Sequence, residues 1–166
     1  TEIGEIPAHW EEVKLGSVAT LQRGFDLPKQ DRKVGIVPIV SSSGISGTHI
    51  EAKVQGPGVV TGRYGTLGEV YYIESDFWPH NTTLFVNDFH GNYPRFVARL
   101  LERTKLAGLN DKTSVPGINR NHAHQLSIGL PPMVEQQKID EMLLTADAKI
   151  AAEEDRKTAL AALFKS

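Results

Sequence analysis

The chain of 166 residues has no cysteine at all. That excludes a disulfide framework, a thiolate metal site and a cysteine nucleophile, and it fits a cytosolic protein. No apolar run approaches the ~18 residues that a membrane span needs. The chain is numbered from Thr1, without a methionine, and no signal-peptide pattern follows, which fits a fragment of a longer protein. The sequon Asn81-Thr82-Thr83 therefore reads as chance. A net charge of -2 argues against a generally basic nucleic-acid binder. Chemistry is scarce too. There is no Gly-x-Ser-x-Gly elbow and no His-Glu-x-x-His. His122 and His124 are two apart, but no carboxylate lies close enough in sequence to complete a metal set. Neither a metal nor a cofactor is expected.

Glycine and proline also vanish over part of the chain. All of them lie before Val134. Pro131-Pro132 stops whatever precedes it, because proline lacks an amide donor and fixes φ. The run that follows is rich in Ala, Leu, Glu and Lys and predicts a helix from about Val134 to Phe164. Ile139, Leu143, Ala146, Ile150, Leu160 and Phe164 fall at alternating spacings of four and three, the pattern of a coiled-coil seam, interrupted by Glu153 and Lys157. One reading folds this helix back on its own domain. The favoured reading makes it a spacer or docking arm that pairs with another helix, because the stripe outruns what one domain can cover. The expected organisation is a domain over 1–131 and a spacer or dimerisation helix over 132–166.

What remains is α+β, compact and β-rich. Trp10, Val13 and Leu15 predict a strand running into a short turn at Gly16–Ala19. Asp26 to Lys33 reads as a loop. Strands are expected at Ile36–Val40, Thr48–Ala52, Gly58–Thr61, Glu69–Ile73, Thr83–Val86 and Leu126–Leu130, with short spacers and turn signals that suit a mostly antiparallel system. Pro38 demotes its strand toward an edge or a strand end. Pro94 suits the first turn of a helix that buries Phe96, Val97, Leu100 and Leu101 and ends at Gly108. Arg95, Arg99 and Arg103 recur along another face. Between Asp88 and Leu130 six bases face three acids.

Two loops carry residues suited to DNA. Gly62-Arg63-Tyr64-Gly65-Thr66-Leu67-Gly68 lacks the Gly-Lys-Ser/Thr ending of a phosphate loop, and a strand follows it rather than a helix. It reads either as a tight turn between strands, where glycine supplies positive φ, or as a close-approach loop presenting Arg63, Tyr64 and Thr66. Lys112, Thr113, Ser114, Asn119 and Arg120 offer phosphate and base-edge partners from a second polar loop. Ser42, Ser43, His80 and Asn81 complete the candidate DNA-binding set.

Several segments together resemble one family. Ile6-Pro7-Ala8-His9-Trp10-Glu11-Glu12-Val13-Lys14-Leu15-Gly16 looks like the opening of a target-recognition domain from a specificity subunit of Type I restriction–modification enzymes. The glycine turn at 62–68 matches that domain's own. Leu130-Pro131-Pro132-Met133-Val134-Glu135-Gln136-Gln137-Lys138-Ile139 matches its exit into a spacer helix. The resemblance implies a non-catalytic subunit that reads double-stranded DNA for a methyltransferase subunit and, through the complex, a restriction subunit. The usual subunit holds two recognition domains joined by two long antiparallel helices, each domain reading half of a split target. This chain carries one domain and one helix, so it is a fragment or a half-subunit, and self-association through the helix is expected. Two other readings stand beside it. One is a small enzyme that binds a nucleotide at the Gly62–Gly68 turn; the other is a coiled-coil scaffold without DNA binding.

Overall fold

A computed structural model describes residues 5–109 and 117–163. Lys112, Thr113, Ser114 and Phe164 lie outside the described residues. The fold is α+β, with nine strands in three sheets among the described residues, short helices and one long C-terminal helix.

The largest sheet has the order β2-β8-β5-β6, formed by Thr20–Arg23 (β2), Gly58–Gly62 (β5), Val70–Ile73 (β6) and Thr83–Asp88 (β8). All of its pairings are antiparallel. Strand β5 is buried along its whole length, because the sheet is covered on both faces. Side chains alternate across a strand. Val59, Leu84 and Val86 therefore point into one core, and Val60 and Phe85 into the other. The first core is closed by helix α1 (Pro94–Arg103) and by the short helix α2 (Arg120–His124). The second lies against a three-stranded sheet of order β4-β3-β7: Gly44–His49 (β4), Val37–Ser41 (β3) and Trp78–Pro79 (β7). A third sheet pairs Glu11–Lys14 (β1) with Ser127–Leu130 (β9) and brings the two ends of the domain together.

Several expectations are corrected. Strand β4 starts at Gly44 and ends at His49, so the strand expected at Thr48–Ala52 is displaced toward the Ser42-Ser43 turn. Strand β3 is central rather than an edge. Pro38 is tolerated there because β7 pairs only with Ile39 and Val40, leaving Pro38 beyond its reach. Helix α1 ends at Arg103, well before Gly108, and a short 3₁₀ turn at Leu106–Leu109 follows. Its fully buried stripe includes Ala98, while Leu100 is half-buried. Strand β7, two residues long, is too short to have been expected, and β2 holds a single buried apolar side chain, Leu21, which is too little to mark a strand.

Helix α3 (Met133–Leu163) spans 31 residues, roughly 46 Å at 1.5 Å each. Its start is locked into the domain. Gln136 is only 2% exposed and fully engaged. Its Oε1 accepts the Tyr93 amide at 2.9 Å, and its Nε2 donates to Asn92 Oδ1 at 2.8 Å and to the Pro131 carbonyl at 3.0 Å. Next to it, the Glu135 carboxylate accepts from Trp10 Nε1 at 2.9 Å and meets His9 Nε2 at 2.8 Å. These bonds give the opening and exit segments a physical role: they set the angle at which the helix leaves. From Glu141 to Leu163 every residue is exposed. The helix does not fold back on its domain. Arg99 Nη2 reaches out to Asp147 and steadies its second turn beyond the base.

Candidate nucleic-acid interface

The glycine turn between β5 and β6 closes on itself. The Gly62 amide donates to the Glu69 carbonyl at 3.0 Å, and Gly68 donates back to the Gly62 carbonyl at 3.2 Å. A Cβ at Gly62 would sit 1.7 Å from the Thr66 carbonyl oxygen. Gly65 and Gly68 adopt φ of +77° and +75°, where side chains are strained. The turn thus holds Arg63, Tyr64 and Thr66 at the rim of the large sheet.

Three further segments converge on this turn. The amides of Arg63 and Tyr64 both donate to the Thr82 carbonyl, at 2.9 and 3.1 Å. The Arg63 carbonyl accepts from Ile118 at 3.0 Å, and the Tyr64 ring lies over Gly117, where a Cβ would meet it at 2.3 Å. The Ser42 amide donates to Thr82 Oγ1 at 3.3 Å, and the His80 amide to the Val40 carbonyl at 2.8 Å. Thr82 is the hub of this arrangement. Nothing in its sequence context marks it, because it acts through its backbone carbonyl and one hydroxyl.

The candidate residues divide by placement. Ser43, Thr66 and Arg120 are exposed, and Arg63, Tyr64, His80, Asn81 and Asn119 are half-buried. The Arg63 guanidinium stacks 4.3 Å from the Tyr64 ring centroid. Ser42 is buried beneath Gly65 and shapes the turn rather than facing solvent. The Asn81 amide donates to Asp26, which also accepts from Arg23. The Asn119 side chain accepts from the Asn121 amide and caps α2. Arg120, first in α2, follows at the same rim.

One cation, Arg32, and one anion, Asp26, act on His80. Burial, and then the nearby Arg32, push the His80 imidazole below its ordinary range, so it is neutral near pH 7. His124 is lowered by burial and by Arg120, and its Nε2 accepts the Leu21 amide at 2.9 Å. That nitrogen is thereby engaged in holding β2. Among the described residues no group of three or more His, Asp or Glu is placed to hold a metal.

The turn is a poor phosphate cradle. Four of its amides, those of Gly62, Arg63, Tyr64 and Gly68, already donate to backbone carbonyls. A phosphate loop needs such donors free and aimed at one point. With these four amides engaged, Arg63, Tyr64 and Thr66 are the side chains that the turn carries.

Comparison with known proteins agrees with this architecture. Solved structures share the fold. An S subunit of a Type-I restriction-modification system from M. genitalium superposes with a TM-score of 0.72 at 16% identity, covering 89% of this chain and 42% of that one. A chain from a structure on complex assembly and conformational transition of the type I R-M system gives 0.73 at 16%, covering 90% and 41%. The HsdS subunit from Thermoanaerobacter tengcongensis gives 0.70 at 16%, covering 90% and 40%. The chain thus spans about two fifths of the length of each of these three structures. No curated protein matches. The family model for the Type I restriction modification DNA specificity domain matches residues 7–162. That match takes in both the β-rich body and nearly all of helix α3, and the chain belongs to this family.

Proposed function

We propose that this chain is a non-catalytic unit that reads one half of a split double-stranded DNA target and directs a methyltransferase subunit, and through it a restriction subunit, to that site. The observation that carries the reading is the convergence of the 42–43, 62–68, 80–82 and 117–120 segments on one polar rim, with Arg63, Tyr64, Thr66 and Arg120 available to a ligand. Arginine can reach two acceptors on a guanine edge, and threonine can reach phosphates or bases. The near-neutral charge is compatible, because partner subunits can supply most phosphate contacts. The test is co-purification with a methyltransferase subunit followed by mapping of methylated sites. The complex is expected to methylate one defined sequence, and the chain alone to neither methylate nor cleave. Methyl transfer by the chain alone refutes the non-catalytic reading; methylation without sequence preference refutes the reading of DNA.

The helix supports a second part of this proposal: self-association as an antiparallel pair. Leu143, Ile150 and Leu160 are exposed along the seam, while Ile139 packs on the domain. At the helix base an open groove of about 660 Å³ is lined by Ile6, Trp10, Leu100, Arg103, Ile139 and Leu143. We assign it to the distal end of a second copy's helix. That end carries Leu160 and Leu163 for the apolar wall, and Glu153, Glu154 and Asp155 for Arg103.

A further inference from the structure

We propose that Val34 and Ile36 form an apolar prong that contacts thymine methyl groups in the major groove of the target; the inference rests on the DNA-reading assignment above. Val34 is 98% and Ile36 95% exposed, more than any other large apolar side chain among the described residues. The backbone between them is not loose. A Cβ at Gly35 would lie 2.3 Å from the His49 carbonyl oxygen and 2.6 Å from Ile50 Cα, so Gly35 is pressed flat on the end of β4. The chain bends at Ile36, and the two neighbours of Gly35 are both left almost wholly in solvent. The segment is anchored just upstream, where the Lys33 amide donates to His49 Nδ1 at 3.0 Å and Arg32 Nε donates to the Leu27 carbonyl at 3.3 Å.

The same loop starts at the proposed reading rim and runs to the other end of the β3–β4 hairpin, where Val37 pairs with His49. Phe25 bridges to His80, and its amide donates to the Pro79 carbonyl at 2.8 Å. Asp26 takes the Asn81 amide. Arg32 lies near enough to His80 to depress its basicity.

Charge decides between occupants. Lys29, Arg32 and Lys33 precede the prong within a few residues, against one acid, Asp31, in that run. Exposed aliphatic groups beside cations complement a surface that is anionic at its rims and carries methyl groups on its floor. The major groove is such a surface, and of the four bases only thymine presents a C5-methyl there. The prong would therefore favour A·T pairs at one or two positions.

The experiment uses the chain assembled with its methyltransferase partner, on the duplex defined by methylation mapping. Each thymine of the half-site is replaced in turn by uracil, which deletes only the methyl group. Wild type is expected to lose about fourfold in affinity at one or two of these positions, the effect of burying one methyl. The double variant Val34→Ser/Ile36→Ser, at sites too exposed to disturb folding, is expected to bind more weakly and to treat thymine and uracil alike there. A wild type indifferent to every replacement overturns the proposal, as does a half-site without thymine, or a double variant that keeps the thymine preference. A double variant that no longer co-purifies with the methyltransferase also overturns it, since the patch is then a protein interface. Failure of the DNA-reading assignment is distinguishable, because wild type would then show no sequence preference to perturb.

Discussion

On the proposed function, single residues do one of two jobs, reading or holding, and the two are separable by experiment. Arg63 and Arg120 sit at the rim on different segments, so their losses should differ in kind from those of the residues beneath. In the assembled complex, Arg63→Ala and Arg120→Ala are each expected to weaken binding by roughly 1–3 kcal/mol where a base contact is lost, with relaxed preference at one position. Where a phosphate contact is lost, all sequences weaken alike. Binding titrations and methylation mapping of both variants check this, and wild-type behaviour in both would remove these loops from the reading surface. Glu135 is a holding residue. The Trp10 indole, and then the His9 contact, keep its carboxyl below the usual carboxylate range, against an opposing effect of desolvation. A depressed carboxylate stabilises the fold at pH above its unfolded value of about 4.3, and the contribution is lost as pH falls through the lower folded value. Glu135→Gln is therefore expected to lower Tm at pH 7 and to match wild type in strong acid. Thermal melts followed by circular dichroism across that window test the sign.

Elements show why the junction matters more than the strands it follows. Gln136 satisfies a buried amide of Tyr93 and the carbonyl of Pro131 at once, so its deletion strands both. Gln136→Ala is expected to destabilise the domain by about 1–3 kcal/mol, the penalty for buried polar groups left unpaired. Urea unfolding measures it. A neutral result would mean that water replaces the side chain. The long helix was legible in the sequence because the Gly- and Pro-free run after Pro132 and the four-three spacing both act locally. Strands β5, β6 and β8 were legible for the same reason, as short apolar runs bounded by turn residues. Strand β7 was not: two residues long, Trp78 and Pro79, it exists only because β3 lies beside it. The displacement of β4 has a similar cause, since its register follows the Ser42-Ser43 turn and not its own alternation. At the proposed rim, the tight turn that carries Arg63, Tyr64 and Thr66 was visible from glycine spacing. Thr82 and Asp26 were not, because their roles are made by long-range hydrogen bonds. The burial of Ser42 was equally invisible, being set by the glycine turn folding over it.

At the scale of the whole chain, one domain carries one arm, and the arm's exposed seam says how two such units can pair. An exposed apolar stripe of this length marks an interface. Ile150 lies near the midpoint of α3, 58% exposed, where an antiparallel pair would cross its own two-fold axis. A two-fold pair places Leu143 of each copy toward Leu160 of the other and closes both base grooves at once. Parallel pairing would leave both grooves open and set the acidic ends Glu153–Asp155 side by side. Wild type is therefore expected to form dimers at tens of micromolar, on the order of weak-interface affinities, and Ile150→Glu to stay monomeric without unfolding. Sedimentation equilibrium with a parallel circular dichroism melt tests this, and a monomeric wild type at that concentration refutes self-pairing. Protein symmetry is mirrored in the target. The pair should read an inverted repeat, its half-site centres separated by a distance on the order of the helix. Roughly 46 Å corresponds to about 13 base pairs at 3.4 Å each. Methylation mapping of the dimer with its partner subunit should return two identical half-sites in opposite orientation around an unread gap. Two unlike half-sites would mean that a different recognition domain occupies the far end of the arm.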